Sequence, residues 1–193
     1  SHHQLTHERG TAFYHPPPPL RDDDVAWEMQ QRCQERLAAA GYEQYEVSAY
    51  ARPARRCEHN LNYWRFGDYL GLGAGAHGKM TIAERATILR KARVRQPRDY
   101  LGRSPRDRVH EVQVVSESAL PFEFMLNALR LVDGFDRAGF ESRTGLAMTT
   151  IEQTLAAARA RGLLEHVAVE RHRPTELGRR FLNELQALFL PGL

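Results

Sequence analysis

Two cysteines are present in the 193-residue chain, Cys33 and Cys57. So few exclude a disulfide framework, and no second Cys/His pair joins Cys57 and His59 to complete a zinc site. No apolar run approaches the ~20 residues of a membrane span. No charged segment followed by an apolar one opens the chain, so nothing directs it to secretion and the cytoplasm is the expected compartment. A nucleophile elbow, an HExxH pair and a kinase motif set are all missing. There is no internal repeat, and low complexity is confined to Pro16–Pro19. The chain also lacks an initiator Met. Its opening Ser1-His2-His3-Gln4-Leu5-Thr6 reads as the end of a strand, which suggests a fragment; a tag remnant is the other reading of Ser1-His2-His3. What remains, 42% hydrophobic and 26% charged, is a globular composition sufficient for one large domain or two small ones.

Charge is unevenly placed. The net value is +3, yet residues 52–108 hold 14 Lys/Arg against 5 Asp/Glu, whereas residues 119–193 hold 9 of each. A basic stretch beside a cavity suits an anionic partner such as a phosphate, carboxylate or propionate; a solvated Arg-rich face is the plainer reading.

Local pattern gives the following elements. Pro16–Pro19 is an extended connector, because proline fixes φ and cannot donate to a ladder. Asp22-Asp23-Asp24 supplies a cap and first-turn acids for a helix over 25–40, which Gly41 terminates. Cys33 falls within its apolar spacing and reads as a core thiol. Tyr45–Tyr50 reads as one strand, making the α-to-β half of a βαβ unit. A short helix over 60–70, a hairpin near 80–82 and 87–94, and a helix from Pro97 to Gly102 follow. From Ala119 the pattern is helix, short helix and longer helix (to Arg161), two short strands (163–169 and 171–174) and a closing helix over 176–190. That order describes a winged-helix-like domain with Leu126, Leu129, Ile151, Leu155, Leu163, Leu164, Phe181 and Leu185 in its core. The expected division is therefore 1–108 and 109–193.

Two segments carry the residue types of a site. In His59-Asn60-Leu61-Asn62-Tyr63-Trp64, Asn60 could cap a helix. His59 would then point into a cavity where a neutral imidazole can ligate a metal or haem iron. Tyr63 and Trp64 offer flat apolar surface to a planar ligand. The same residues also describe a capped helix with packed aromatics and a hydrogen-bonded histidine. In Gly71-Leu72-Gly73-Ala74-Gly75-Ala76-His77-Gly78, small residues allow a ligand close to the backbone and to exposed N–H groups. A tight structural turn is the alternative. Gly73, Gly75 and Gly78 meet a dinucleotide fingerprint only in part, and no P-loop lysine follows. Asp68 reads as structural.

Taken together, Tyr45-Glu46-Val47-Ser48-Ala49-Tyr50-Ala51-Arg52-Pro53, Cys57-x-His59-Asn60-Leu61-Asn62-Tyr63-Trp64, Gly67-Asp68-Tyr69 and Gly71–Gly78 resemble the HemW-like radical S-adenosylmethionine (SAM) family, which is similar to HemN, the oxygen-independent coproporphyrinogen III oxidase. The resemblance covers essentially the whole chain. It implies an α/β plus α+β fold: the C-terminal half of a partial (β/α)6 radical SAM barrel, then a HemN-type winged-helix-like domain. It further implies a [4Fe–4S] cluster on a CxxxCxxC loop and SAM on its open iron in a full-length protein. Neither cluster ligand set nor loop occurs here, so this chain alone is expected to be inactive in SAM cleavage, and whether it acts as an enzyme stays open. Gly73, Gly75, Ala76 and His77 would wall the SAM or substrate pocket. His59 would be the haem iron ligand, Asn60, Tyr63 and Trp64 would complete the haem site, and Arg55, Arg56 or Arg65 would pair with propionates.

The function this resemblance implies is haem or porphyrin binding and haem delivery to an acceptor protein. Radical oxidative decarboxylation of coproporphyrinogen III is the alternative. A winged-helix regulator is the distant third, and the balanced charge of residues 119–193 argues against a nucleic-acid partner. An exposed strand edge of half a barrel would favour a homodimer.

Overall fold

The computed structural model describes residues 9–168 and 170–192. The strand end read at Gln4-Leu5-Thr6 and the Ser1-His2-His3 segment lie outside the described residues. The chain packs as two units, one up to Cys57 and one from Glu58 onward.

In the first unit, helix α1 spans Asp23–Ala39. Asp23 and Asp24 fill its first turn as expected, but Asp22 makes no side-chain cap bond. The other end closes as a Schellman turn: the Gly41 N–H donates to Ala38 O (2.9 Å) and the Tyr42 N–H to Leu37 O (2.9 Å), with Gly41 at φ +79°. No residue of α1 is buried, and Cys33 is exposed, so it is not the core thiol that its spacing suggested. The single strand expected over Tyr45–Tyr50 is instead an antiparallel hairpin of β1 (Glu43–Glu46) and β2 (Ala49–Ala51). The reason is Glu46. Its buried carboxylate accepts from the Ser48 N–H (3.0 Å) and hydroxyl (2.8 Å), turning the chain at Val47-Ser48.

The second unit begins with α2 (Glu58–Trp64) and a three-stranded antiparallel sheet of β3 (His77–Ile82), β4 (Thr87–Arg93) and β5 (Val109–Val114), with α3 (Pro97–Gly102) between β4 and β5. The β3–β4 hairpin and α3 fall where the pattern placed them. Helices α4 (Leu120–Ala128), α5 (Arg137–Thr144) and α6 (Glu152–Ala160) follow, with the short β6 (Phe135–Asp136) before α5. Strands β7 (Leu164–Ala168) and β8 (Arg171–Pro174) come next, then α7 (Glu176–Arg180) and α8 (Leu182–Ala187). The second sheet has the order β6-β8-β7 and is antiparallel throughout.

One core joins these elements. Ile88 of β4, Val115, Phe124 of α4, Phe140, Leu155, Leu164 and Leu185 all belong to it. Phe124 is its hub, making edge-on contacts with Phe66, Phe135 and Phe140 at 5.2–5.7 Å. Leu129, Ile151, Leu155, Leu163, Leu164 and Leu185 are buried as expected. Leu126 and Phe181 are not: they are 36% and 41% exposed. The helix expected over 176–190 breaks at Phe181 (φ −110°, ψ 48°), and the break turns that side chain outward.

Candidate functional site

Helix α2 starts at Glu58, so His59 and Asn60 lie in its first turn, and Asn60 is not its N-cap. Leu61, 3% exposed, anchors the helix on its inner face, while His59 on the outer side is exposed. The His59 and Tyr63 rings stand 4.9 Å apart, centre to centre, with their planes 80° apart. Tyr63 in turn lies against Tyr69 at 4.4 Å. Trp64 faces another way. The Arg130 guanidinium sits 4.3 Å over its ring, and its buried Nε1 has no hydrogen-bond acceptor among the described residues.

The end of α2 is closed by a residue unusual in that role. The Phe66 N–H donates to Tyr63 O (2.9 Å) and the Gly67 N–H to Asn62 O (2.7 Å), with Phe66 at φ +56°. This is the left-handed closing position normally given to glycine. Burial of the Phe66 ring against Phe124 offsets the strain of roughly 1–2 kcal/mol. Gly67 must be glycine for a different reason: a Cβ there would sit 2.1 Å from Asn62 Oδ1 and 2.8 Å from Asn62 O.

Beyond this turn, residues 67–71 run against β3. Tyr69 and Lys79 exchange backbone hydrogen bonds at 2.9 Å each way. The Lys79 side chain, 2% exposed, threads inward. Its ammonium donates to Phe66 O (3.0 Å) and to Asp68 Oδ1 (2.8 Å), and lies 4.1 Å from the Phe66 ring centre. Asp68 also accepts from the Thr81 N–H (2.7 Å) and hydroxyl (2.9 Å). Burial lowers the pKa of Lys79, against the raising effect of Asp68. Burial would raise Asp68, but its hydrogen bonds from Lys79 and Thr81 outweigh that and hold it below its ordinary value. This buried cation gave no signal in the sequence, because its partners lie 11 and 13 residues away.

The glycine segment forms a loop that feeds β3. Its N–H groups are largely committed within the fold: Gly73 donates to the Tyr100 hydroxyl (3.3 Å), Gly75 to Val94 O (2.8 Å) and Ala76 to Gly73 O (3.3 Å). The exposed N–H groups expected to face a ligand here are, for these three residues, taken by the fold. His77, the first residue of β3, is exposed and pairs with Ala92. A cavity of about 200 Å3 lies beside the loop, walled by Tyr69, Gly71, Ala76, Gly78, Lys91 and Arg93. Arg93 Nε donates to Gly71 O (3.1 Å) and Arg90 to the Tyr69 hydroxyl (3.2 Å) and Glu123, which fixes this wall to β4 and α4. The two expected site segments thus meet at Tyr69, which touches Tyr63 on one side and lines the cavity on the other.

As a test of haem at this site, His59 fits. Its imidazole is exposed beside the Tyr63 ring, and a single histidine is a known type of haem iron ligand. Arg130 occupies one face of the Trp64 ring, so a planar ligand could not stack on that face. Among the described residues, no three His, Cys, Asp or Glu side chains gather to hold a metal ion, and no helix is long and apolar enough to cross a membrane. Arg55 and Arg56 fall in the first unit and Arg65 in the second.

Comparison with known proteins bears out the resemblance read from the motifs. Residues 115–181 match the HemN C-terminal domain family. The heme chaperone HemW of Escherichia coli is 44% identical over 190 residues, which are 98% of this chain and 49% of that protein. The Haemophilus influenzae heme chaperone HemW is 40% identical over 98% of this chain and 48% of its own length. The mitochondrial radical S-adenosyl methionine domain-containing protein 1 of the mouse is 42% identical over 96 residues, covering 48% of this chain and 22% of that protein. Among solved structures, the Escherichia coli coproporphyrinogen III oxidase (HemN), a radical SAM enzyme, superimposes with a TM-score of 0.62 at 15% identity. That match covers 90% of this chain and 43% of that one, and it speaks for the fold alone. The chain spans about half the length of the HemW proteins it matches.

Proposed function

We propose that this HemW-like chain is the part of a haem chaperone that receives haem through His59 and presents it for transfer to an acceptor protein. The observation that carries this reading is an exposed imidazole at the start of α2, set nearly perpendicular against the Tyr63 ring. Bound haem would supply the iron that the imidazole ligates. His59 would hold it through the imidazole, while Tyr63, braced by Tyr69, would limit the imidazole's rotation and present apolar surface to the macrocycle. Asn60 lies one residue further on the same first turn, and Arg65 could pair with a propionate. Trp64 would act indirectly, by docking α2 to Arg130 at the end of α4.

Gly73, Gly75, Ala76 and His77 would form the wall of a neighbouring SAM or substrate pocket, through close approach of small side chains rather than through N–H donation. SAM and a [4Fe–4S] cluster would belong to a longer protein that includes a CxxxCxxC loop. Residues 1–108 would then be the later part of a partial (β/α)6 barrel, and residues 109–193 a winged-helix-like domain. The sheet order β6-β8-β7 with α4, α5 and α6 interleaved supports the second assignment. Because β5 pairs with β4, the two parts would fold together across residue 108. A cytoplasmic location and a homodimer formed through an open strand edge complete the reading.

The test is a haem titration of the chain and of His59→Ala, followed at the Soret band. Saturable one-to-one binding that falls at least tenfold in the variant supports this reading. Equal, weak binding by both proteins removes His59 from the site.

A further inference from the structure

A second cavity, about 410 Å3, lies in the second unit where α5 and α6 face the β6-β8-β7 sheet. It shares no lining residue with the α2 and glycine segments. Arg137 of α5, Glu152 and Arg159 of α6, His166 of β7, Glu170 in the β7–β8 turn and His172 of β8 contribute its ionisable groups. His166 and His172 are cross-strand partners whose rings stand 5.3 Å apart.

Two of these groups are left incomplete by the fold. His172 is only 7% exposed and lies beside Phe135, with ring centres 5.6 Å apart. Its Nδ1 nevertheless has no hydrogen-bond partner among the described residues. A buried polar nitrogen left in that state is costly, and native structures keep few of them. Arg159 is half-buried, and its guanidinium makes no ion pair or hydrogen bond with any described residue. Arg137 differs in being ion-paired, with Glu170 at 2.8 Å and Glu141 at 3.8 Å, although its buried Nε also lacks a hydrogen-bond partner among the described residues. Glu152 and Glu170 are the carboxylates in the lining. Burial first, and then the charges of Arg159, His166 and Arg137, push the His172 pKa down to about 4. Arg171 and Arg173 on β8 itself are neutralised by Asp136 and Glu165, each at 2.5 Å.

An uncommitted guanidinium and an unpartnered buried imidazole in one cavity are what an anionic oxygen group completes. A divalent cation is disfavoured there by the two flanking arginines. We propose that this cavity binds a small oxyanion, a phosphate or carboxylate group, held by Arg159 and hydrogen-bonded to His172. The sign of the coupling follows. A bound anion favours the imidazolium, so occupancy raises the His172 pKa above its free value, and by linkage lower pH tightens binding of an anion whose own charge is unchanged.

The experiment is an NMR titration of the whole chain with inorganic phosphate and, separately, with acetate at constant ionic strength. It follows the imidazole resonances of His166 and His172, with His59, His77 and His110 as internal references. The expected result is a saturable shift confined to His166 and His172. Arg159→Met weakens it about tenfold, while Glu152→Gln tightens it several-fold by removing a like charge from the rim. Saturation by phosphate alone assigns a phosphoryl group, by acetate alone a carboxylate, and by both a site for either. Shifts that grow linearly without saturation, spread over all five histidines, or persist unchanged in Arg159→Met overturn the proposal. Loss of binding in both variants overturns it too, because a purely structural role would weaken both and could not tighten either.

Discussion

Lys79 shows how a single residue joins the two site segments. Its ammonium is bound by Phe66 O at the end of α2 and by Asp68, while its backbone belongs to β3. A buried charge that loses its partner is worse than no charge at all, because the remaining ion keeps its desolvation cost. Asp68→Asn should therefore destabilise the chain by about 2 kcal/mol, less than for a wholly buried pair because the Asp68 side chain is 43% exposed. Lys79→Met removes the charge and its desolvation together, and should cost about 1 kcal/mol or less. Urea unfolding of both variants checks the order; a costlier Lys79→Met would mean that the bond to Phe66 O matters more than the pair. The pH dependence has a definite sign. The folded pKa of Asp68 lies below its ordinary value, so its contribution is present above that ordinary value and lost as pH falls through the folded one. Asp68→Asn should flatten that acid limb.

At the scale of elements, the glycines of residues 67–78 hold the site's geometry by close approach. A Cβ on Gly71 would sit 2.4 Å from His77 O and 2.6 Å from His77 C, both backbone atoms that cannot rotate away. Gly71→Ala should push the segment off β3, open the wall of the 200 Å3 cavity, and lower stability by about 2–3 kcal/mol. Gly102→Ala, where nothing lies within 4 Å, is the matched control and should be neutral. Thermal unfolding distinguishes them; equal melting temperatures would show that the segment yields without cost. Features with a local cause could be read from the sequence: the acids and Gly41 bracket α1, Pro97 opens α3, and β-branched residues mark β4. Features decided at a distance could not. Helical spacing placed Cys33 on an apolar stripe, but spacing does not say whether anything covers that stripe. The residue types of His59–Trp64 were legible, whereas the direction of Trp64 is set by Arg130, far along the chain. The Val47-Ser48 turn escaped because it depends on a carboxylate in a run rich in strand formers.

For the whole molecule, the division at Cys57–Glu58 makes the two units unequal in what stabilises them. The first rests on a helix with no buried residue and a two-stranded hairpin, and such a hairpin is marginal by itself. The second holds the apolar core from Phe66 to Phe189. Local opening should therefore be far easier before residue 58 than after it. Arg52 and Arg55 are exposed in irregular chain at this junction, where a protease needs an extended substrate. Limited trypsin digestion is expected to cut after Arg55 or Arg56, since Pro53 protects the bond after Arg52, and release a fragment that begins at residue 56 or 57. That fragment should retain cooperative thermal unfolding, because the core stays intact. Cuts distributed evenly through α4 to α6 would show instead that the second unit is not independently stable. The same digest bears on function, since the fragment retains His59, Tyr63 and Tyr69. If it binds haem as the whole chain does, the second unit alone suffices for capture. If the Soret response disappears while cooperative unfolding remains, the second unit alone does not suffice for capture, and His59 is not by itself the receiving group.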